Sequence, residues 1–242
     1  MDSPAAWIVL AYLVGAIPIA YLVCLGKGID LRKVGSGNIG ATNAGRALGR
    51  GWGLAVFLGD VLKAWLPTFA AAHHQGLGSA EHHDLIVALV GAAAFLGHVY
   101  PVYLRFHGGK GVSVALGITL VFSPAVAGAA LVLYLQTLAL TRISGLGSLT
   151  AVSAMALFVV GADERLPFQL LVLGFAALIY WRHRSNIREL LDQAHDRNSA
   201  AGTGPRHADH PAKLPEPGTS SGLIPEVVSA DRSKPVPASK RT

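Results

Sequence analysis

Charged side chains are scarce in this sequence. Asp, Glu, Lys and Arg supply 14% of the 242 residues, against roughly 25% in a soluble domain. Twelve of the 34 lie in the last 50 residues, so the body Met1–Asp192 carries only 22. A water-soluble body of that size could not cover its surface with so few, which excludes an ordinary soluble enzyme. Cysteine is almost missing too. Cys24 stands alone, which excludes a disulfide scaffold. A single thiol in an apolar run reads as a small buried hydrophobe. The glycines have no period of three, so the chain is not collagen-like. A basic region before the first apolar run is also lacking, since Asp2 stands there. No small-residue cleavage site follows the run, so it is expected to be a retained membrane helix.

Apolar sequence is what the chain has in plenty: 52% of its residues are hydrophobic, and its mean hydropathy is +0.45. A bilayer core of roughly 30 Å needs about 20 apolar residues per helix. Seven segments fit that pattern: 5–25, 51–72, 85–103, 111–123, 124–141, 146–162 and 166–182. The fourth and fifth meet at Ser123–Pro124, where a tight turn is expected; one long kinked helix is the alternative. The expected fold is an all-α integral membrane protein with seven transmembrane helices. Numbering the connections alternately puts Lys27, Arg32, Lys33, Arg46, Arg50, Arg105, Lys110, Arg142, Arg182, Arg184 and Arg188 on one side. The other side receives Arg165 alone, together with the loop His73–Asp84. Basic residues stay in the cytoplasm, so the N-terminus is expected outside and the C-terminus cytoplasmic. The net charge of +6 then reflects topology and contact with anionic lipid. No basic, aromatic-interleaved surface exists for nucleic acid. From Gln193 the composition turns to Pro, Ala, Ser, Gly and mixed charge. Two parts are therefore expected: a transmembrane domain over 1–192 and a disordered cytoplasmic tail over 193–242.

Three polar segments fall on the expected cytoplasmic face. The first, Val34-Gly-Ser-Gly-Asn-Ile-Gly-Ala-Thr-Asn-Ala-Gly-Arg46, formally contains G-x-G-x-x-G at Gly35, Gly37 and Gly40. A dinucleotide fold needs a strand before that motif, whereas a charged turn precedes it here. Asp60, twenty residues on, lies inside a span three residues before Lys63 and reads as half of a buried i,i+3 pair. What remains is a donor-rich loop with Ser36, Asn38, Thr42, Asn43 and Arg46, able to cradle an anion with Arg46 as a bidentate fork. The second segment runs from Gly97 to Val112. Its Gly108-Gly109-Lys110-Gly111 opens the next span, so backbone N–H groups, a lysine and a helix N-terminus meet where a phosphate would bind. It is not a nucleotide-binding P-loop, because Leu104 replaces the first glycine and Gly111 the magnesium-holding Ser or Thr. His98, beside the start of this segment's polar run, is expected to act behind its glycines. The third segment is Arg182-His-Arg-Ser-Asn-Ile-Arg-Glu-Leu-Leu191. Its His183 and Asn186 are i and i+3 on one helical face, suited to orient or deprotonate a hydroxyl. His73, His74, His82 and His83 lie around the external loop without the spacing of a metal site, so no metal is expected.

These segments, GSGNIGATNAGR, GHVYPVYLRFHGGKGV and RHRSNI, in this order, resemble the bacterial acyl-phosphate:glycerol-3-phosphate acyltransferase family. The likeness covers about residues 5–191. It implies a multi-pass protein of the bacterial inner membrane with its active site at the cytoplasmic face. It further implies transfer of an acyl chain from acyl phosphate to the 1-hydroxyl of glycerol 3-phosphate, giving lysophosphatidate and inorganic phosphate, the first acylation of phospholipid synthesis. No cofactor is implied. The one partner implied is a soluble acyltransferase that forms the acyl phosphate. Carried over by position, Lys110, Arg46 and His183 look like the catalytic residues. Ser36, Asn38, Asn43, Gly108, Gly109, Gly111 and Asn186 look like the substrate-binding ones. The H-x-x-x-x-D pair of soluble acyltransferases is missing, because Tyr103 follows His98 at that spacing and Arg188 follows His183. A transporter of a phosphate-bearing solute would use similar anion loops. It should also line a midplane cavity with ionisable residues, for which only Asp60 and Lys63 qualify.

Overall fold

Backbone polar groups in hydrocarbon must bond within their own segment, and the apolar runs meet that demand as helices. The computed structural model describes residues 3–162, 165–189, 191–192 and 195, among which there is no strand. The helices are α1 (Pro4–Gly15), α2 (Ile19–Leu25), α3 (Ala41–Leu48), α4 (Arg50–Ala72), α5 (His83–Val99), α6 (Val112–Phe122), α7 (Pro124–Thr141), α8 (Ser144–Ala162) and α9 (Leu166–Arg182). A further helical stretch covers 184–189. All seven expected segments are helical. Five apolar stretches, Pro4–Leu25, Arg50–Ala72, His83–Leu104, Pro124–Thr141 and Ser144–Gly161, are long enough to cross a membrane, while α6 and α9 are apolar but shorter.

Local chemistry sets the breaks. Pro18 lacks an N–H and disfavours helix at the residue before it, so the first apolar run divides into α1 and α2. Ser123 is extended, with φ −146° and ψ 90°, and Pro124 begins α7. The Ser123–Pro124 junction is therefore a turn between two helices rather than a kink in one. Gly111, at φ +91°, starts α6, which at about 1.5 Å per residue reaches only part of the way across a bilayer. The first polar segment is not all loop. After Gly40 it forms α3, which buries Asn43 and Ala44 and crosses α4 where Gly45 and Gly53 touch backbone to backbone.

The burial pattern is that of a membrane bundle. On α4 the leucines Leu54, Leu58, Leu62 and Leu66 are exposed, one turn apart, while Asp60, Lys63 and Thr68 face inward. The apolar rim meets lipid and the polar groups meet each other. α5 forms the centre. α1 packs on it where Gly15 meets the backbone of Ala94 and Gly97 meets that of Tyr12 and Ala16, and the Tyr12 hydroxyl donates to Tyr100 O at 2.8 Å. Small residues at a crossing let helices approach closely in lipid. Stacked rings join α5 and α6 to α9: Phe95 on Phe175 at 4.2 Å and Phe122 on Phe168 at 4.4 Å.

Candidate active site

The first polar segment is held from within by Asn43. Its side-chain amide donates to Val34 O at 2.9 Å and Leu31 O at 3.3 Å, and its carbonyl accepts the Ser36 N–H at 3.2 Å. With 1% exposure and all these bonds made to backbone, Asn43 builds the loop that presents Ser36. Upstream, Asp30 caps a 3-10 turn and pairs with Arg32 at 2.9 Å. The Arg32 hydrogen bonds hold the Asp30 carboxyl down to about 2. Ser36 and Arg46 are exposed, Asn38 half-buried. Thr42 bonds Ser144 on α8 at 2.9 Å.

The second segment lies flat against the end of α5. A Cβ on Gly108 would meet the His98 and Val99 carbonyls, one on Gly109 the His98 ring, and one on Gly111 the Phe95 ring. These glycines are required by close approach, and Gly111 by its positive φ as well. The Gly109 N–H is spent on His98 O at 3.2 Å, so it is not one of the free donors that the sequence suggests. Arg182 takes up the carbonyls, donating to Gly108 O at 2.7 Å and Gly109 O at 3.2 Å. The first bond of α6 runs from Ala115 N–H to Gly111 O. The N–H groups of Val112, Ser113 and Val114 thus have no acceptor within the helix, and the anion-attracting end of α6 stands directly after Lys110.

The third segment turns at His183, the C-cap of α9, before the helix resumes over 184–189. This places Asn186 against Lys110, whose ammonium donates to Asn186 Oδ1. His183 is 2% exposed and its Nδ1 lies 2.9 Å from Ile179 O. A carbonyl can only accept, so Nδ1 carries the ring proton and Nε2 keeps its lone pair. Burial pushes the imidazole down to about 4, against the Ile179 hydrogen bond and with help from the charge of Lys110. The ring is therefore neutral at physiological pH. Burial also lowers the Lys110 ammonium from the ordinary lysine value, opposed by Glu189 and reinforced by Arg182 and Arg46.

A cleft of about 410 Å³ opens among these groups, lined by Asn38, Lys110, Arg182, Arg184, Ser185 and Arg188. Four of the six are cationic and none is acidic. The three segments are thus brought together: Asn38 comes from the first, Lys110 from the second, the rest from the third. Arg46 acts on Lys110 through its charge without lining the cleft, and Ser36 and His183 also stand outside the lining. In the sequence Arg182, Arg184 and Arg188 mark topology alone, and nothing singles out Ser185. The signal was their density within seven residues of an otherwise apolar body. Elsewhere, Lys63 pairs with Asp60 at 2.8 Å, both almost fully buried, as their spacing implied. The histidines around the loop between α4 and α5 bond locally: His73 to Phe69 O at 2.9 Å, His82 to Ser79 at 2.7 Å and His83 to Ala72 O at 3.1 Å, while His74 lies 5.5 Å from the Trp7 ring.

Fold and site together define an all-helical, multi-pass membrane protein with a cationic cleft built from polar loops at the ends of its helices. The sequence profile of the glycerol-3-phosphate acyltransferase family matches residues 5–193. The chain is 46% identical over 191 residues to the glycerol-3-phosphate acyltransferase of Geobacter sulfurreducens, covering 79% of this chain and 95% of that one. It is 42% identical over 186 residues to that of Aquifex aeolicus, covering 76% and 93%. Two crystal structures of PlsY (YgiH), an integral membrane glycerol 3-phosphate acyltransferase, are similar in fold. The glycerol 3-phosphate form superposes with a TM-score of 0.73 at 38% identity, and the lysophosphatidic acid form with 0.71 at 37%; each comparison covers 78% of this chain and 92% of the other. The chain belongs to the glycerol-3-phosphate acyltransferase family and is an acyltransferase.

Proposed function

We propose that this protein transfers an acyl chain from acyl phosphate to the 1-hydroxyl of glycerol 3-phosphate, releasing lysophosphatidate and inorganic phosphate. The observation that carries this reading is the cleft whose lining holds Lys110, Arg182, Arg184 and Arg188 without an acidic residue. Both substrates bring a phosphate, and one cationic site gathers both. Glycerol 3-phosphate and lysophosphatidic acid in the PlsY structures support the acceptor and the product.

In the reaction the 1-hydroxyl oxygen attacks the acyl carbonyl carbon, the bond from that carbon to the phosphate oxygen breaks, and the phosphate leaves with the electron pair. Acyl phosphate is already activated, so no covalent enzyme nucleophile is needed. Holding the two reactants together is worth up to about 7–11 kcal/mol. Lys110, Arg46 and the free N–H groups at the start of α6 stabilise charge on the departing phosphate. Asn186 holds the Lys110 ammonium in place. Ser36, Asn38, Gly108, Gly109 and Gly111 shape the phosphate cradle, and Asn43 supports it from behind. His183 orients the glycerol end through Nε2, and the hydroxyl proton passes to a substrate phosphate, a stronger base than an imidazole lowered to about 4.

The eleven-to-one bias of Lys and Arg supports seven spans in the cytoplasmic membrane of a bacterium, N-terminus outside and cleft inside, where a soluble partner supplies acyl phosphate. Composition supports dividing the chain into a catalytic body, 1–192, and a tail, 193–242, which lies outside the described residues except at His195.

The test uses purified protein with long-chain acyl phosphate and glycerol 3-phosphate. Lysophosphatidate and inorganic phosphate should appear in equal amounts. Equal rates with acyl-CoA would point to another acyltransferase chemistry. No turnover, with uptake of a phosphorylated solute into proteoliposomes, would favour a transporter.

A further inference from the structure

Asp60 and Lys63 on α4 and His98 in the last turn of α5 are charge-bearing side chains buried away from the cleft. Ionisable groups inside a membrane bundle are costly and call for a reason. The Asp60–Lys63 pair is closed at 2.8 Å, and the same ammonium donates to Ile17 O at 2.8 Å, at the break between α1 and α2. The Asp60 carboxylate faces a third group, His98 Nδ1, at 3.7 Å.

His98 in turn makes two contacts with the glycine loop. Its carbonyl accepts the Gly109 N–H at 3.2 Å. Its ring occupies the space beside Gly109, so that a Cβ there would lie 2.7 Å from the ring Cε1. Lys110 is the next residue, and Arg182 fastens the loop from the opposite side through Gly108 O and Gly109 O.

We infer that Asp60, Lys63 and His98 form a positioning network that seats the glycine loop against α5 and so aims the Lys110 ammonium into the cleft. The inference rests on the role proposed above for Lys110. Asp60 flanks the Nδ1 edge of the His98 ring, the opposite, Nε2 edge and the His98 carbonyl lie against Gly109, and Gly109 fixes its neighbour. None of the three lines the cleft, so they act through Lys110 and not on substrate. An ion pair that served only stability could be replaced by apolar residues of similar volume at little cost; one that sets the loop could not be replaced without loss of turnover.

The test is a double-mutant cycle on the purified full-length protein. Measured alone, His98→Ala should lower kcat about 10²-fold, the scale expected for a small misplacement of a catalytic group. Made in Lys110→Ala, the same change should cost less than about threefold, because the group it positions is gone. The paired variant Asp60→Leu/Lys63→Met should keep the wild-type melting temperature in detergent and show the same loss of coupling. His98→Gln, which keeps side-chain volume and the main-chain bond to Gly109, serves in the cycle if His98→Ala does not fold. Equal factors in both backgrounds, or wild-type kcat in the folded His98 variant, would overturn the network. Wild-type kcat in Lys110→Ala itself would instead overturn the reading of the cleft, so the two failures are told apart.

Discussion

His183 is the residue at which burial decides chemistry. Its folded-state value of about 4 lies below the ordinary 6.5, so protonation favours the unfolded chain. Its stabilising contribution is full above pH 6.5 and falls away as the pH drops toward 4. The rate should accordingly show no ionisation of this ring between pH 5.5 and 8. A limb near pH 6.5 in kcat that vanishes in His183→Gln would show that the imidazole takes the proton. Asn43 gives a second expectation at this scale. Asn43→Asp removes the donors to Val34 O and Leu31 O; Val34 O keeps the Gly37 N–H, but leaving the buried Leu31 O unpaired costs about 1–3 kcal/mol. Melting temperature and activity should fall together; an unchanged melting temperature with a selective rise in KM for glycerol 3-phosphate would put Asn43 on the substrate. The sequence showed which polar residues matter through their density in an apolar chain. It could not show that Asn43 spends its bonds on the backbone, or that Lys110 meets Asn186 across 76 positions, because those contacts depend on how the helices stack.

Among the elements, the apolar runs were legible because a bilayer demands long hydrophobic helices whatever their partners. The bounds 166–182 and 124–141 coincide with α9 and α7, since Pro167 and Pro124 mark the helix starts. Two features were not legible. The Gly, Asn and Thr of α3 favour turns and mark it as loop in the sequence; apolar Ala41, Ala44 and Leu48, spaced by three and four, and the crossing at Gly53 make it a helix. The break between α1 and α2 hid in an unbroken apolar run, where only Pro18 marked it. Close crossings of small residues hold these elements, so Gly97→Leu should be severe. A side chain there strikes the backbone of Tyr12 and Ala16, and overpacking of this kind costs about 1–3 kcal/mol or more. The expected result is a lower melting temperature and poor yield in membranes, whereas Gly128→Leu, where a Cβ meets nothing within 4 Å, should be near wild type. Equal behaviour of the two variants would show that α1 and α5 do not pack as described.

For the whole molecule, the arrangement puts all three polar segments at helix ends and buries the polar groups of α4 between helices. The orientation expected from the basic residues can be read with single cysteines at Ser36 and Ser79 in a Cys24→Ala background, using an impermeant thiol reagent on intact cells. Position 79 should label from outside and position 36 only after lysis; the reverse would invert the topology. Whether the cationic cleft does the chemistry is tested most directly by the turnover of Lys110→Ala. Removing one stabiliser of a developing charge should lower kcat about 10²–10³-fold with little change in melting temperature, Lys110→Arg rescuing only in part because its charge has another shape. Wild-type acyl transfer by folded Lys110→Ala would contradict the account and leave Gly108–Gly111 a hinge.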